Sequence, residues 1–372
     1  MRLYEYAIRR LILMVFVLFG LSVLIFYLTR GLLPPNFAIS AYITPRMNDA
    51  AKLSVAESMG VANVSCPSYT AFVSQQSGCI TPLWAQYTRW LMNVLTGNWG
   101  LTLLPGVAGS DTTWHVFFSR FPYTAELAIA GAILTILLGI PMGIISATHN
   151  NKLPDHISRV ISLGGYSVPQ FWFGAMLQII FVLYIRVNGA GLLPGSAALA
   201  TTCGICFNDP GHIISYSGLP VLDALLSLNF PFFWDSIVAL ILPALTLAIT
   251  SIGAITRIMR SSMMDVLRQD YILLAKSKGL KERTVIYKHA LKNALLPTVT
   301  VSGLLAAYLL GGVVIIEIVF SWPGVGNTSL IAAEVLDINF LELYVLVTAV
   351  IIVVTNLAVD LIYAKLDPRI RY

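Results

Sequence analysis

Six apolar stretches, each long enough to cross a lipid bilayer, restrict what this chain can fold into more than any other feature. A membrane-spanning helix needs about 20 mostly apolar residues to cover roughly 30 Å of hydrocarbon. The mean hydropathy of the chain is +0.79, and only 11% of its residues are charged. The stretches cover residues 11–29, 123–148, 161–186, 236–256, 298–320 and 341–363. The sequence therefore predicts an all-α polytopic membrane protein with six transmembrane helices.

Prolines lie inside three of these stretches, at Pro141, Pro169 and Pro243. Proline removes a backbone hydrogen bond, which a spanning helix tolerates where neighbouring helices or water satisfy the freed carbonyl. The three prolines mark either kinks in the helices or accidents of packing, and the sequence leaves both interpretations open.

The distribution of lysine and arginine predicts how the chain is oriented. If the N-terminus is cytoplasmic, 17 of the 23 basic residues fall in cytoplasmic segments and six in outer segments. Basic residues accumulate on the cytoplasmic side of membrane proteins, so the N- and C-termini are both expected there. The same bias explains the net charge of +5, so the basic composition does not indicate a nucleic-acid partner.

The lengths of the loops divide the chain into three parts. Residues 1–30 hold the N-terminal segment and the first transmembrane helix, and residues 31–122 form an extracytoplasmic loop long enough for a small subdomain. Residues 123–372 form a five-helix core. This core is expected to carry a second long extracytoplasmic loop at 188–235 and a basic cytoplasmic loop at 257–297.

All four cysteines lie in the two long outer loops. Disulfides persist outside the cytosol, so Cys66 and Cys79 are candidates for a disulfide bond. Cys203 and Cys206 form a C-x-x-C pair, which can bind metal or change its redox state, but neither an adjacent histidine nor a βαβ pattern accompanies it. A structural disulfide and two free thiols both remain open for that pair, and no metal site is assigned.

The loop at 257–297 carries nine lysine and arginine residues in 41 positions. Its residues favour helix up to about Leu274, so the fourth span is expected to continue into the cytoplasm. Gly279 suits a left-handed helix cap with Leu280 placed for the capping contact, and Pro297 is expected to bend the chain into the fifth span. The return helix between them is predicted over 281–295. Its apolar stripe consists of Ile286, Tyr287, Ala290, Leu291, Ala294 and Leu295.

Two kinds of partner compete for this basic loop. Anionic lipid head groups would be attracted by its charge alone. A groove in another protein would instead make use of the tight turn and of three small residues, Ala275, Ser277 and Gly279, which permit close approach of the backbone. These features favour docking on a protein.

The same loop resembles a known family. Asp270-Tyr271, the segment from Ala275 to Leu280 and the segment from His289 to Pro297 are similar to the cytoplasmic coupling loop of ABC-importer permeases, above all the dipeptide/oligopeptide class of the first-permease type. Similar segments are spread over nearly the whole chain. They begin at Gln86, Gly97, Arg120, Gly139, Ser167, Leu242, Glu317 and Asp360.

The chain departs from the family pattern in two places. The loop of ABC importers generally begins with a Glu-Ala-Ala triplet six residues before the glycine, where this chain has Leu273, Leu274 and Ala275. A glutamate contact with an ATPase is therefore not assigned. Residues 36–82 and the loop around Cys203 also match the pattern poorly, and both are expected on the side from which substrate arrives.

The resemblance implies a type I ABC-importer-like permease of the cell membrane. The expected partners are a second, homologous permease, two cytoplasmic ATPases that bind ATP and Mg²⁺, and an extracytoplasmic substrate-binding protein. No cofactor, catalytic residue or nucleic acid is expected on this chain. In agreement, the sequence contains no G-x-x-x-x-G-K-[ST] phosphate-binding loop.

The resemblance also implies which residues are functional. Contacts with the ATPases are expected at Asp270, Tyr271, Ala275, Lys278, Gly279 and Leu280. A turn after the fifth span either closes the cavity on the outside, receives the binding protein or is a rigid connector. Its residues are Trp322, Pro323, Gly324 and Gly326. His289 is expected to be a polar surface residue and not a catalytic base, because no nucleophile accompanies it.

Import of peptides is the function that the resemblance implies first. Import of oligosaccharides or another small solute by the same architecture is the alternative within the fold. An ion-coupled carrier or channel is the alternative from another class, but it would more often need an ionisable group near mid-membrane. Glu126, Glu317 and Asp360 all lie near the ends of spans, which favours an external source of energy.

Overall fold

The computed structural model describes residues 3–32, 34–44, 46–105, 111–184, 186–187, 190–191 and 217–366. Regular structure in these ranges is helical, apart from an antiparallel pair of short strands, Arg186–Val187 (β1) and Ala190–Gly191 (β2). The α-helices are Leu3–Phe26 (α1), Phe37–Ser40 (α2), Asp49–Ser58 (α3), Tyr69–Val73 (α4), Leu83–Leu95 (α5), Thr113–Thr148 (α6), Leu153–Ser167 (α7), Gln170–Gln178 (α8), Pro220–Leu226 (α9), Phe230–Leu267 (α10), Asp270–Ser277 (α11), Glu282–Thr284 (α12), Leu291–Gly312 (α13), Val314–Val319 (α14), Val325–Glu334 (α15) and Ile338–Leu366 (α16). Segments of π-helix occupy Tyr27–Gly31, Ile179–Tyr184 and Val285–Ala290.

Four helical segments in the described ranges are long and apolar enough to cross a membrane. They are Ile8–Gly31, Thr113–Thr148, Phe230–Leu267 and Ile338–Val359. These segments coincide with the first, second, fourth and sixth predicted spans. Two of them keep helical structure through the prolines inside them, at Pro141 and Pro243.

Two predicted spans are divided instead of continuous. The prediction of one helix through Pro169 was wrong: α7 ends at Ser167, and Val168 is extended, with φ −89° and ψ 130°. The ring of a proline disfavours helical backbone at the residue before it, so the break falls at Val168. The predicted span at 298–320 is divided at Val313, between α13 and α14.

The chain forms two compact units, and the first is built mainly from Phe121–Asn327. Its centre is α10, which carries many of the buried residues of this unit. Side chains such as Leu127, Leu242 and Phe320 form the main apolar cluster around it. Small residues let α6 lie close to α10, as at Gly143, where an added Cβ would lie 2.5 Å from Met259 Cβ. Close approach at small residues is how helices commonly pack in membranes.

The second unit is built from Arg9–Arg120 and Thr328–Val350. Two buried acids hold distant segments of this unit together. Glu342 accepts a hydrogen bond from the indole nitrogen of Trp90 at 2.7 Å, and Asp337 accepts one from the hydroxyl of Thr102 at 2.6 Å. A buried carboxylate with several donors is a strong constraint on structure, because each donor loses its partner if the acid is removed.

A disulfide joins Cys66 and Cys79 inside a small apolar cluster of the second unit. A cross-link that closes a loop of this size restricts the unfolded chain, which typically stabilises by about 3 kcal/mol. We expect the double variant Cys66→Ser/Cys79→Ser to become cleavable by protease at a lower temperature, near residues 60–80. Limited proteolysis over a temperature series measures this. An unchanged cleavage temperature would show that the surrounding cluster, which includes Ile39 and Phe72, suffices without the bond.

Candidate functional site

The basic loop folds into a helical hairpin, Asp270–Ala290, which we call the surface hairpin. α10 ends at Leu267, and Gln269 is extended, with ψ 148°, so the helix predicted to continue to Leu274 is interrupted. A new helix, α11, begins at Asp270. An acidic residue in the first turn is favourable there, because it faces the positive end of the helix dipole.

The turn of the surface hairpin is built on Gly279. Its φ is +74°, in the left-handed region that glycine adopts without steric cost, as the sequence predicts. The backbone nitrogen of Lys278 donates to the carbonyl of Leu274 at 3.1 Å, and that of Gly279 donates to the carbonyl of Lys276 at 2.9 Å. These bonds satisfy carbonyls at the end of α11 that would otherwise lack a partner. An added Cβ at Gly279 would meet no atom within 4 Å, so the turn projects into open space.

Two residues of α11 anchor the surface hairpin to the first unit. Ile272 is fully buried and Ala275 is 7% exposed. They belong to one apolar cluster with Met263 of α10, Ala147 of α6 and Val285 in the return segment. Burying a side chain such as isoleucine contributes about 1.5–3 kcal/mol. The short helix is therefore fixed to the ends of the long helices and is not a free loop.

The opposite face of α11 exposes two leucines among polar residues. Leu273 is 65% exposed and Leu274 is 57% exposed, although both are leucines on a helix with a buried side. Tyr271 and Leu280 are also exposed, and the hydroxyl of Tyr271 accepts a hydrogen bond from the Asn293 side chain at 2.8 Å. The hairpin thus presents apolar side chains to whatever lies beyond it.

The structure separates the six predicted coupling residues into two groups. Asp270, Tyr271, Lys278, Gly279 and Leu280 lie on the exposed surface of the hairpin. Ala275 faces inward, so its role in this structure is to anchor α11. The exposed leucines, Leu273 and Leu274, were not predicted as contacts, although they occupy the positions at which the chain departs from the family pattern. Two adjacent leucines in a basic loop are a feature of the sequence that indicates an apolar contact.

The return segment keeps the predicted stripe except at one residue. Ala290 and Ala294 are buried and Ile286, Leu291 and Leu295 pack against the same apolar cluster, whereas Tyr287 is exposed. The turns at Val285–Ala290 are π-helical, with more residues per turn than an α-helix, and in these turns Val285 is buried while Tyr287 is not. The helix then continues through Pro297, where the sequence predicted a bend.

The turn after α14 is organised by a buried glutamate. Glu317 is fully buried and accepts hydrogen bonds from the hydroxyl of Thr124 at 2.6 Å and the backbone nitrogen of Asn327 at 2.8 Å. The Thr124 hydroxyl in turn accepts from the backbone nitrogen of Val325 at 2.9 Å. An added Cβ at Gly324 would lie 2.4 Å from the Glu317 carboxylate. The turn is therefore closely fitted to this acid.

The other predicted residues of this turn are also fixed in place. Trp322 is 1% exposed, and its indole nitrogen donates to the carbonyl of Tyr123 at 2.9 Å. An added Cβ at Gly326 would lie 2.8 Å from the Cα of Val314. In the described conformation Trp322 is a buried anchor, so a partner cannot reach its ring. Cys203 and Cys206 lie outside the described residues, and no group of three metal-ligating side chains occurs within them.

Comparison with known proteins gives one family. A family model described as "binding-protein-dependent transport system inner membrane component" matches residues 139–372. The chain is 36% identical to the dipeptide transport system permease protein DppB of Alkalihalophilus pseudofirmus, over 99% of each chain. It is 34% identical to the di/tripeptide transport system permease protein DppB of Pseudomonas aeruginosa, over 98% of each. It is 31% identical to the oligopeptide transport system permease protein AppB of Bacillus subtilis, over 99% of each.

Proposed function

The chain belongs to the family of binding-protein-dependent transport system inner membrane components, and from this premise we propose that it is a peptide-translocating permease of an ATP-driven importer. It is a multi-pass protein of the inner membrane. The proposal of a peptide cargo rests on its relatives, which are named for transport of dipeptides, tripeptides and oligopeptides. The chain pairs with a second permease, receives cargo from an outer binding protein and relies on two cytoplasmic ATPases for energy.

One observation supports the coupling role more than any other: the surface hairpin exposes apolar side chains among its charged ones and is anchored by its buried residues. Leu273 and Leu274 would be costly to leave in water, so they fit a groove in a partner protein. A protein groove suits this surface better than lipid does, because the tight turn at Gly279 and the small neighbouring residues permit close approach of the backbone.

Under this proposal, the buried residues of α11 transmit force from a docked partner to the long helices. A partner that moves α11 also moves Ile272, which packs in one cluster with Met263 at the end of α10 and Ala147 at the end of α6. Packed interiors transmit displacement because they contain few voids. Closure of the ATPases on ATP would therefore shift the ends of two long apolar helices. This would alternate access to a cavity between the two permeases.

The turn from Trp322 to Asn327 takes a different role in this mechanism. We infer that it is a rigid connector, because Glu317 and Thr124 hold its backbone at several points. A gate would need to move, and each of these bonds would then have to break. Contact between its exposed atoms and the binding protein is compatible with this role.

The docking role predicts the effect of charging the exposed face of α11. We expect Leu273→Asp to reduce the amount of ATPase that copurifies with the permease about tenfold or more, because a carboxylate would be buried unpaired in the contact. Affinity purification followed by quantitative blotting measures this. The fold should persist, since Leu273 is 65% exposed in the isolated chain.

Leu228→Asp is the matched control. Leu228 is 72% exposed and lies between α9 and α10, far along the sequence from the surface hairpin. Its φ of +53° is a conformation that aspartate accepts more readily than leucine. The control should retain its ATPases. If Leu273→Asp and Leu228→Asp retained equal amounts of the ATPases, docking on this face of α11 would be refuted.

The cargo and the energy source need separate experiments. Uptake of a labelled dipeptide into proteoliposomes that contain the full set of subunits should require ATP and the binding protein. Uptake of a labelled disaccharide instead would support the sugar alternative. ATP-independent uptake by this chain alone would support an ion-coupled carrier. The ligand that the cognate binding protein retains on purification identifies the cargo directly.

A further inference from the structure

A second feature of the first unit lies outside the surface hairpin: a cavity between α6, α7 and α10. Its volume is about 320 Å³. Three arginines line it, Arg159, Arg257 and Arg260, together with the serines Ser146 and Ser162. Neither the coupling contacts nor the turn at Trp322 contributes to it, so the proposed mechanism leaves it unexplained.

A buried aspartate fixes two of the three arginines. Asp155 is fully buried and accepts hydrogen bonds from Arg159 Nε and Arg260 Nε, each at 3.0 Å. Ser146 and the backbone nitrogen of Asn151 donate to the same carboxylate. The guanidinium of Arg159, together with that of Arg260, holds the pKa of Asp155 well below its usual range. One negative charge thus holds two positive charges in position and neutralises only one of them.

Arg257 adds a third positive charge with unused donors. Its Nε donates to the carbonyl of Gly253 at 3.1 Å, and its guanidinium lies over the ring of Tyr166, 5.2 Å from the ring centroid. Nothing in the described part of the chain accepts a hydrogen bond from its two terminal nitrogens. Three guanidiniums against one carboxylate leave the cavity with a net positive charge.

Ser162 gives an independent sign of a missing ligand. Its side chain is 3% exposed and lines the cavity, yet its hydroxyl has no hydrogen-bond partner among the described residues. A buried hydroxyl without a partner typically costs about 1–3 kcal/mol, so such groups usually have one. Ser162 and Arg257 line the same cavity, so an anion with several oxygens bound there would accept from this hydroxyl and from the terminal nitrogens of Arg257.

The outer surface of α7 indicates what carries the anion. Ile157, Val160, Ile161, Leu163 and Tyr166 are all exposed on this helix. Leu163 also lines the cavity, so the apolar surface is continuous with the cationic site. Hydrated inorganic phosphate would make no favourable contact with such an apolar surface. A phospholipid has a phosphate for the arginines and an acyl chain for the apolar face.

We propose that this cavity binds the phosphate of an anionic phospholipid, with an acyl chain lying along α7. The phosphate would accept hydrogen bonds from Arg257 and Ser162, and Asp155 keeps Arg159 and Arg260 in position. Basic pockets between transmembrane helices on the cytoplasmic side are suited to such head groups. The site rests on the proposed function, in which the surface hairpin of the basic loop meets cytoplasmic ATPases.

The experiment compares two arginines that each stack on a tyrosine. Arg257 lies in the cavity, whereas Arg283 stacks on Tyr287 at 6.0 Å and does not line the cavity. The full-length chain, with the subunits that copurify, is stripped of lipid in detergent and titrated with phosphatidylglycerol, phosphatidylcholine or inorganic phosphate. Native mass spectrometry counts the bound lipid, and the thermal midpoint reports protection.

We expect phosphatidylglycerol to bind and to protect the unmodified protein and Arg283→Gln, while Arg257→Gln binds it about fivefold more weakly. Phosphatidylcholine and inorganic phosphate should not replace it. Ser162→Ala leaves the packing almost unchanged and should bind phosphatidylglycerol about two- to threefold more weakly, as loss of one donor predicts. This variant keeps the test decisive if Arg257→Gln fails to fold.

Four outcomes would overturn the lipid site. The first is that Arg283→Gln weakens binding of phosphatidylglycerol as much as Arg257→Gln does, and the second is that Ser162→Ala binds this lipid with unchanged affinity. The third is that inorganic phosphate raises the thermal midpoint as much as phosphatidylglycerol does. The fourth is that lipid binding disappears when a second permease subunit covers α7. Copurification of the ATPases is recorded in the same samples. Loss of the lipid preference with the ATPases retained would count against this site and not against the proposed function.

Discussion

Replacing Glu317 by alanine is expected to lower the free energy of unfolding by about 3–5 kcal/mol and to leave little folded protein in the membrane. The carboxylate is fully buried and accepts from the hydroxyl of Thr124 and the backbone nitrogens of Gly326 and Asn327. Each donor left without a partner costs about 1–3 kcal/mol, and the removed side chain leaves a cavity in addition. Retention of folded protein after heating, measured by size-exclusion chromatography, reports the loss.

Two further variants separate the role of Glu317 from a general effect of losing an acid. Glu334→Ala removes an exposed acid from α15 and should change stability by less than about 0.5 kcal/mol. Glu317→Gln keeps one acceptor oxygen but turns an amide donor towards other donors, so its loss should fall between those of alanine and the native residue. If Glu317→Ala were as stable as Glu334→Ala, the turn at Trp322 would not depend on this acid.

Local features of the chain could be predicted from the sequence because their cause lies within a few residues. The left-handed turn at Gly279 is one case, since a helical segment followed by glycine and an apolar residue is a local signal. The break at Val168 is another case of local cause, because Pro169 follows it. The length of the apolar stretch led to the prediction of one span there, whereas the conformational restriction on the residue before proline accounts for the observed boundary.

Long-range contacts could not be predicted in the same way. Trp90 and Glu342 are 252 positions apart, and Asp155 and Arg260 are 105 positions apart. No spacing in the sequence pairs them. A buried acid can be recognised only after packing has brought its donors together. The cavity beside α7 therefore could not be predicted from the sequence, although its three arginines lie in two segments with basic residues.

The position of the hairpin and most of its exposed residues agree with the prediction, whereas the burial of Ala275 and the exposure of Tyr287 do not. The hairpin lies where the basic residues concentrate, and five of the six predicted coupling residues are exposed. The inner face depends on the shape of the cluster around Met263, into which Ala275 fits. Tyr287 lies in the π-helical turns at Val285–Ala290, and the regular spacing of apolar residues in the sequence does not reveal such turns.

The largest effect on transport is expected from Gly279→Val. Valine at φ +74° is strained by about 1–2 kcal/mol or more, because a β-branched residue rarely adopts this conformation. The added side chain would also stand in the open space that a docked partner must enter. We expect ATP-dependent uptake to fall about tenfold or more while the ATPases still hydrolyse ATP, so that the two activities become uncoupled. Paired measurements of uptake and ATP hydrolysis in proteoliposomes test this.

Gly97→Val is the matched control, since Gly97 has φ +77° and equally open space around its Cα. It belongs to the second unit and not to the surface hairpin, so the substitution introduces the same backbone strain in a different part of the chain. Gly279→Asn divides the two causes further, because asparagine tolerates the left-handed conformation but still adds a side chain. Transport restored by asparagine would assign the defect to the turn, whereas transport lost with both residues would assign it to close approach of the partner. Normal coupling in Gly279→Val would remove the hairpin from the path by which energy reaches the membrane helices.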